Sequence, residues 1–89
     1  MNYVAAVRMS PGGTKHEHIV EVIWVTDKFN SGKSSTAQII THLRKSPGSI
    51  KVTDGTTTAT VEVVEAQPPY IRSIKDGAVS DNLLKVTRY

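Results

Sequence analysis

The residues best placed by type and spacing to do chemistry are Gly32, Lys33 and Ser34, inside the stretch FNSGKSSTAQIITHL from Phe29 to Leu43. A lysine between a glycine and a hydroxyl, after an apolar run (His18 to Val25) and before a helical pattern, resembles the end of a loop that cradles phosphate with backbone amides. The full motif, G-x-x-x-x-G-K-[ST], needs glycine at position 27, where this chain has Asp27. A carboxylate at the loop mouth repels phosphate. The stretch is therefore expected to be a turn at Gly32 followed by a helix start capped by Ser34 or Ser35.

His16 and His18 stand two apart, which on a strand puts both on one face, and His42 is a third imidazole. No spacing ties His42 to the pair, and Glu17 alternates away from them. There is no cysteine, so thiolate metal sites and disulfides are excluded. No metal and no other cofactor is expected. Ser and Thr are plentiful, but no G-x-S-x-G elbow or convergent base accompanies them. The acids fall in turns or alternate with valines, so the expectation is a protein that is not an enzyme.

Two further groups can recognise a partner. Tyr70, Arg72 and Asn82 lie close in sequence and form a candidate recognition patch. The same residues can instead staple the fold, with Arg72 paired to Asp76 or Asp81 and Asn82 bonded to backbone. Arg8, Lys33, Arg44, Lys45 and Lys51 are candidate nucleic-acid contacts. The net charge of +3, from eleven Lys/Arg against eight Asp/Glu, permits anionic partners without demanding them, and only Arg44 and Lys45 are adjacent.

These side chains must be held by a small frame. With 89 residues and 38% hydrophobic content the chain is one domain, residues 1–89, with a thin core. The start lacks the pattern of a signal peptide, and no run approaches the roughly 20 apolar residues of a membrane span, so a soluble cytoplasmic protein is expected. Asn2 to Ser10 reads as a strand with Tyr3, Ala5, Val7 and Met9 on one face. After the Pro11-Gly12-Gly13 turn, a second strand puts Val20, Val22 and Trp24 opposite Glu21. Residues 26–32 read as a loop. The one convincing helix starts at a capping box, Ser35 with Gln38, buries Ile39, Ile40 and Leu43, and stops at Pro47-Gly48. Asp54-Gly55 signals a hairpin, followed by a strand with Ala59, Val61 and Val63 on one face. Pro68-Pro69 ends it; an extended run at Tyr70 to Arg72, a turn at Lys75 to Gly77 and a tail docked by Leu83 and Leu84 follow.

The order β-β-α-β-β-β predicts an α+β fold: a small twisted antiparallel sheet with one helix packed across it. The alternative is an SH3-like, partly closed barrel.

YVAAVRMSPGG at the start, YIRSIKDG late and DNLLKVTRY at the end together resemble a small uncharacterised family of bacterial and phage proteins, known as a domain of unknown function. The matching positions are Val4 to Arg8, Tyr70 to Ser73, Asp76-Gly77, Asn82-Leu83 and Val86 to Tyr89, with Thr87 standing where the family commonly has proline. The resemblance implies a cytoplasmic, mobile-element context and a possible host-factor partner. It implies no activity. The expectation is a small non-enzymatic module that binds a macromolecule, with a protein partner first, a homodimer considered, and weak nucleic-acid binding through the basic residues as the alternative. No membrane partner is expected.

Overall fold

The structure is a computed structural model that describes residues 2–53 and 56–89. Its first strand, β1 (Asn2–Met9), pairs antiparallel with β2 (Ile19–Thr26). Both are rich in β-branched residues, but neither keeps a simple alternation. Val4 faces Trp24 and Ala6 faces Ile23, so Ala5 is an extra, exposed residue in β1. Arg8 faces Glu21 and Met9 faces Ile19, so Val20 is the extra residue in β2. Each bulge shifts the side-chain phase by one. The buried positions are consequently Val4, Ala6, Val7, Ile19 and Val22, while Ala5 and Val20 point to solvent, contrary to the strict alternation expected.

The expected loop around Gly32 is partly strand. β3 (Ser31–Ser35) returns antiparallel along β2, with Gly32 opposite Trp24 and Lys33 opposite Ile23. The Trp24 ring lies so close over Gly32 that an added Cβ would overlap it, and its Nε1 donates to Ser34 Oγ at 3.0 Å. Helix α1 (Thr36–Lys45) follows at once. Ser35 caps it by accepting from the Gln38 amide at 3.2 Å, while Gln38 Oε1 accepts from the Ser35 amide at 2.9 Å. Thr36 Oγ1 donates to the Ile19 carbonyl at 2.7 Å, tying the helix start to the start of β2. Ile39, Ile40 and Leu43 are buried, as their spacing predicts.

The rest of the chain is β4 (Ile50–Thr53), β5 (Thr58–Val64), β6 (Tyr70–Lys75), β7 (Ala78–Ser80), a short helix α2 (Asn82–Lys85) and β8 (Thr87–Arg88). The Asp54-Gly55 turn lies outside the described residues; the strands on either side of it pair antiparallel, Thr53 opposite Thr58. β6 and β7 meet through Asp76 and Gly77, both at positive φ (54° and 79°), the conformation that a tight two-residue hairpin requires. Ala59 and Val61 are buried and Val63 packs against them, as alternation predicts.

The hydrogen-bonded order is β3-β2-β1-β4-β5-β6-β7. Two pairings depart from the antiparallel expectation. β4 runs parallel to β1 over Asn2 to Val4, and β8 runs parallel to it over Ala6 and Val7. The two share one edge of β1 and part where Ala5 bulges. The crossover that parallel pairing needs is supplied by β2, β3 and α1. β3 and β7 end the path without pairing to each other, so the sheet is open. Eight strands stand where five were expected, and the fold is mostly sheet with one main helix.

The tail docks as its leucine pair predicts. Leu83 has no solvent exposure and joins Val7, Val52, Val61 and Ile71 in the core, while Leu84 packs against it. Buried Ser73 on β6 donates its hydroxyl to the Ser80 carbonyl at 2.8 Å and accepts from the Leu83 amide at 3.1 Å. At the end, the Tyr89 hydroxyl donates to Glu21 at 2.7 Å, with Arg8 over its ring at 5.9 Å. No helix among the described residues is long and apolar enough to cross a membrane.

Candidate functional site

A groove of about 380 Å³ runs between the loop before β2 and the β6–β7 side of the sheet. Residues 16–18 form a single 3₁₀ turn rather than strand, so the rule that puts His16 and His18 on one strand face does not apply. His18 turns inward on its own loop. Its Nδ1 accepts from the amides of Thr14 at 3.0 Å and Lys15 at 3.1 Å, and its carbonyl accepts from the Ser10 amide at 2.8 Å. Gly13 leaves room for this, since a Cβ there would strike the His18 side chain. The loop so braced sets Lys15, His16 and Glu17 along one wall of the groove.

The other wall is Tyr70, Arg72, Val79, Asp81 and Leu84. Arg72 does not bind the acids that follow it. Its Nε donates to Glu62 at 2.7 Å, because the register of β5 and β6 sets Glu62 directly opposite Arg72. The staple expected with Asp76 or Asp81 is thus replaced by a cross-strand pair. Both partners are about two-fifths exposed, so the pair orients the guanidinium more than it stabilises the fold. One end of the fork is fixed and the remaining N–H donors stay available.

His16 is the polar group in the groove whose needs are unmet. Its Nε2 is buried and has no hydrogen-bond partner. Burial lowers the His16 pKa from its ordinary value, Asp81 opposes that shift, Arg72 adds to it, and the Ser80 backbone opposes it from nearby, though without the geometry of a full hydrogen bond. The groove therefore combines a neutral-leaning imidazole, a pre-oriented arginine and half-buried Tyr70 and Leu84. Such a set can bind an acceptor-bearing segment that also offers an apolar side chain.

The structure brings Tyr70 and Arg72 together in this groove but turns Asn82 inward. Asn82 is 7% exposed, and its Nδ2 donates to the Thr57 carbonyl at 3.2 Å and hydroxyl at 3.1 Å. It holds α2 to the chain before β5. Sequence reasoning set Asp81 beside Arg72, though as its ion-pair partner, and missed His16; the one available signal was the Gly13 to His18 turn chemistry, which signals a loop and not its partner.

The other candidates separate. His42 lies on α1 with Nε2 3.0 Å from Ser49 Oγ, away from the 3₁₀ turn, and no group of three or more metal-binding side chains gathers among the described residues. Lys33 extends from an edge strand, with Nζ 4.0 Å from Glu21, so the apparent phosphate motif is strand backbone. Arg44 forms a two-pronged pair with Glu65 at 2.6 and 3.3 Å, and this hydrogen bond holds the Glu65 carboxyl below its usual range. Lys51 Nζ donates to Thr60 Oγ1 at 2.8 Å, and Arg8 lies over Tyr89. Lys45 has no ion-pair partner among the described residues.

No curated protein and no solved structure matches the chain. A family model does, over residues 3–86, a span that takes in both walls of the groove and agrees with the resemblance to an uncharacterised family. On that match the chain belongs to the family described as Protein of unknown function (DUF3892).

Proposed function

We propose that the protein is a small non-enzymatic binding module that recognises a protein partner in the groove between residues 15–17 and β6. The observation that carries this reading is Arg72, already aimed by Glu62 and with further N–H donors open to the groove beside half-buried Tyr70. Binding is favoured over catalysis because no Ser or Thr hydroxyl lines the groove, and buried Ser73 spends its own on Ser80 and Leu83. In the cytoplasmic, mobile-element setting that the sequence resemblance implies, the partner would be a host protein.

Capture from a nuclease-treated native extract, read by mass spectrometry, tests this. Wild type and Lys45→Glu should retain the same protein, and Tyr70→Ser, checked for an unchanged melting temperature, should lose it. Retention that disappears on nuclease treatment, or that survives Tyr70→Ser, would overturn the reading. The first of these outcomes would favour a nucleic-acid partner, whose affinity would fall steeply with salt.

A further inference from the structure

The sole phenylalanine of the chain, Phe29, is 93% exposed at the tip of the β2–β3 hairpin. The tip is built firmly. The Thr26 amide donates to the Asn30 carbonyl at 2.8 Å and the Phe29 amide to the Thr26 carbonyl at 3.0 Å. The Thr26 hydroxyl accepts from the amides of Lys28 at 3.3 Å and Asn30 at 3.2 Å. Phe29 itself sits at φ 63°, a left-handed conformation that glycine or asparagine adopts readily and a bulky side chain does not. A rigid turn thus holds an aromatic ring out into water at a backbone cost, the kind of local strain that collects at contact sites.

At the other end of β2 lies an open groove of about 530 Å³ where Ile19, Val20, Ala37, Ile40, Pro68 and Pro69 stand among polar side chains that include Arg44, whose charge is already paired with Glu65. Val20 is 44% exposed there because of its bulge. Glu17 stands at the rim, and Lys28 stands beside Phe29. Neither has an ion-pair partner among the described residues. The exposed ring at the tip thus matches the apolar side chains of the groove, and the Lys28 charge is opposite to that of Glu17. They cannot meet within one molecule, since β2 has eight residues and separates them by about 25 Å.

We infer that Phe29 of one copy inserts into the Val20–Ala37–Pro69 groove of a second copy, with Lys28 facing Glu17. The contact is head-to-tail, so each molecule keeps one free tip and one free groove, and assembly grows as a ring or an open chain rather than stopping at a symmetric pair. One aromatic anchor with a small rim is less than a standard interface, so the association is weak and concentration-dependent. It shares Glu17 with one wall of the His16–Arg72 groove but no other residue of it, and it does not depend on the partner proposed there.

Sedimentation equilibrium from about 10 μM to about 1 mM tests the inference, a range set by single-anchor affinities. The average mass of wild type should rise with concentration and pass that of a dimer. Phe29→Gly suits the left-handed turn and so keeps the fold while removing the ring. Ala37→Glu fills the groove mouth and suits the first turn of α1. Each variant alone should stay monomeric. Their equimolar mixture should form a dimer and nothing larger, because only one tip and one groove remain. A monomeric wild type throughout, equal self-association by Phe29→Gly, or a mixture that fails to pair would each overturn the inference.

Discussion

Replacing Leu83 with alanine removes three carbons from a site that has no solvent exposure. The space left behind opens under α2, which packs on β1, β4, β5 and β6, four different strands that cannot all close in. Fully enclosed leucines of this kind cost about 2–5 kcal/mol on truncation, the lost transfer energy plus the cavity. A domain of 89 residues has on the order of 4–13 kcal/mol in total, so the tail leucine carries a large share. Urea unfolding, followed by the fluorescence of Trp24, the single tryptophan, reads this directly because its ring packs on Gly32 and against the core. With a slope of about 1–3 kcal/mol per molar urea, the midpoint should fall by roughly 1–3 M. Leu84→Ala, half-buried, should cost less, and Val79→Ala, on the exposed β7, within about 0.5 kcal/mol. A Leu83→Ala protein that unfolds within about 0.5 kcal/mol of wild type would refute the docked tail and with it the placement of β8.

Ser35→Ala should cost about 1 kcal/mol in the same assay through loss of the cap on the Gln38 amide. Gly32→Ala should cost about 1–3 kcal/mol and shift Trp24 emission, since the new Cβ meets the indole; Lys33→Ala should be near neutral, and ATP should leave the melting temperature of wild type unmoved. His16 titrates below its ordinary value of 6.5 in the folded state, so the fold prefers the neutral ring. Its contribution is complete above about pH 6.5 and is lost as pH falls, and thermal melts from pH 7 to 5 should fall less steeply for His16→Gln than for wild type. Tyr89 runs the other way. Burial and the bond to Glu21 push its pKa up to about 12, so stability present below pH 10 should drain as pH rises toward 12, and Tyr89→Phe should lose that dependence.

What was legible in the sequence was local. The capping box of α1 needs only Ser35 and Gln38, three residues apart, and the stripe of Ile39, Ile40 and Leu43 needs only helical period. The alternation of Ala59, Val61 and Val63 survives because β5 has no bulge, whereas β1 and β2 each insert one residue and so change face midway. Ser-Gly-Lys-Ser-Ser has little intrinsic strand preference; it becomes β3 because Trp24 covers Gly32 and bonds Ser34, a contact made across the sheet. Parallel pairing of β4 and β8 on β1 is likewise long-range. For the candidate site, Tyr70 and Arg72 were found as neighbours on one strand. The true partner of Arg72, Glu62, follows from register, and His16 arrives from the opposite end of the chain. Neither leaves a mark in local spacing.

The sharing of one edge of β1 by β4 and β8 sets a schedule for synthesis. β1 is made about 80 residues ahead of Thr87 and Arg88, which fill the half of its edge at Ala6 and Val7. At about 5–20 residues per second, that stretch of hydrogen-bonding groups waits on the order of 10 s. Until then the nascent sheet exposes an unpaired edge at its centre rather than at its rim, next to Val4 and Val7, which are not yet covered. Folding is therefore bound to be a late, whole-chain event with long loop closures, slow for a domain of this size. A pause before residue 87, or a truncation that removes Thr87 and Arg88, should leave a species that recruits other strands to the open edge, so the yield of native protein should depend on how soon those two residues follow.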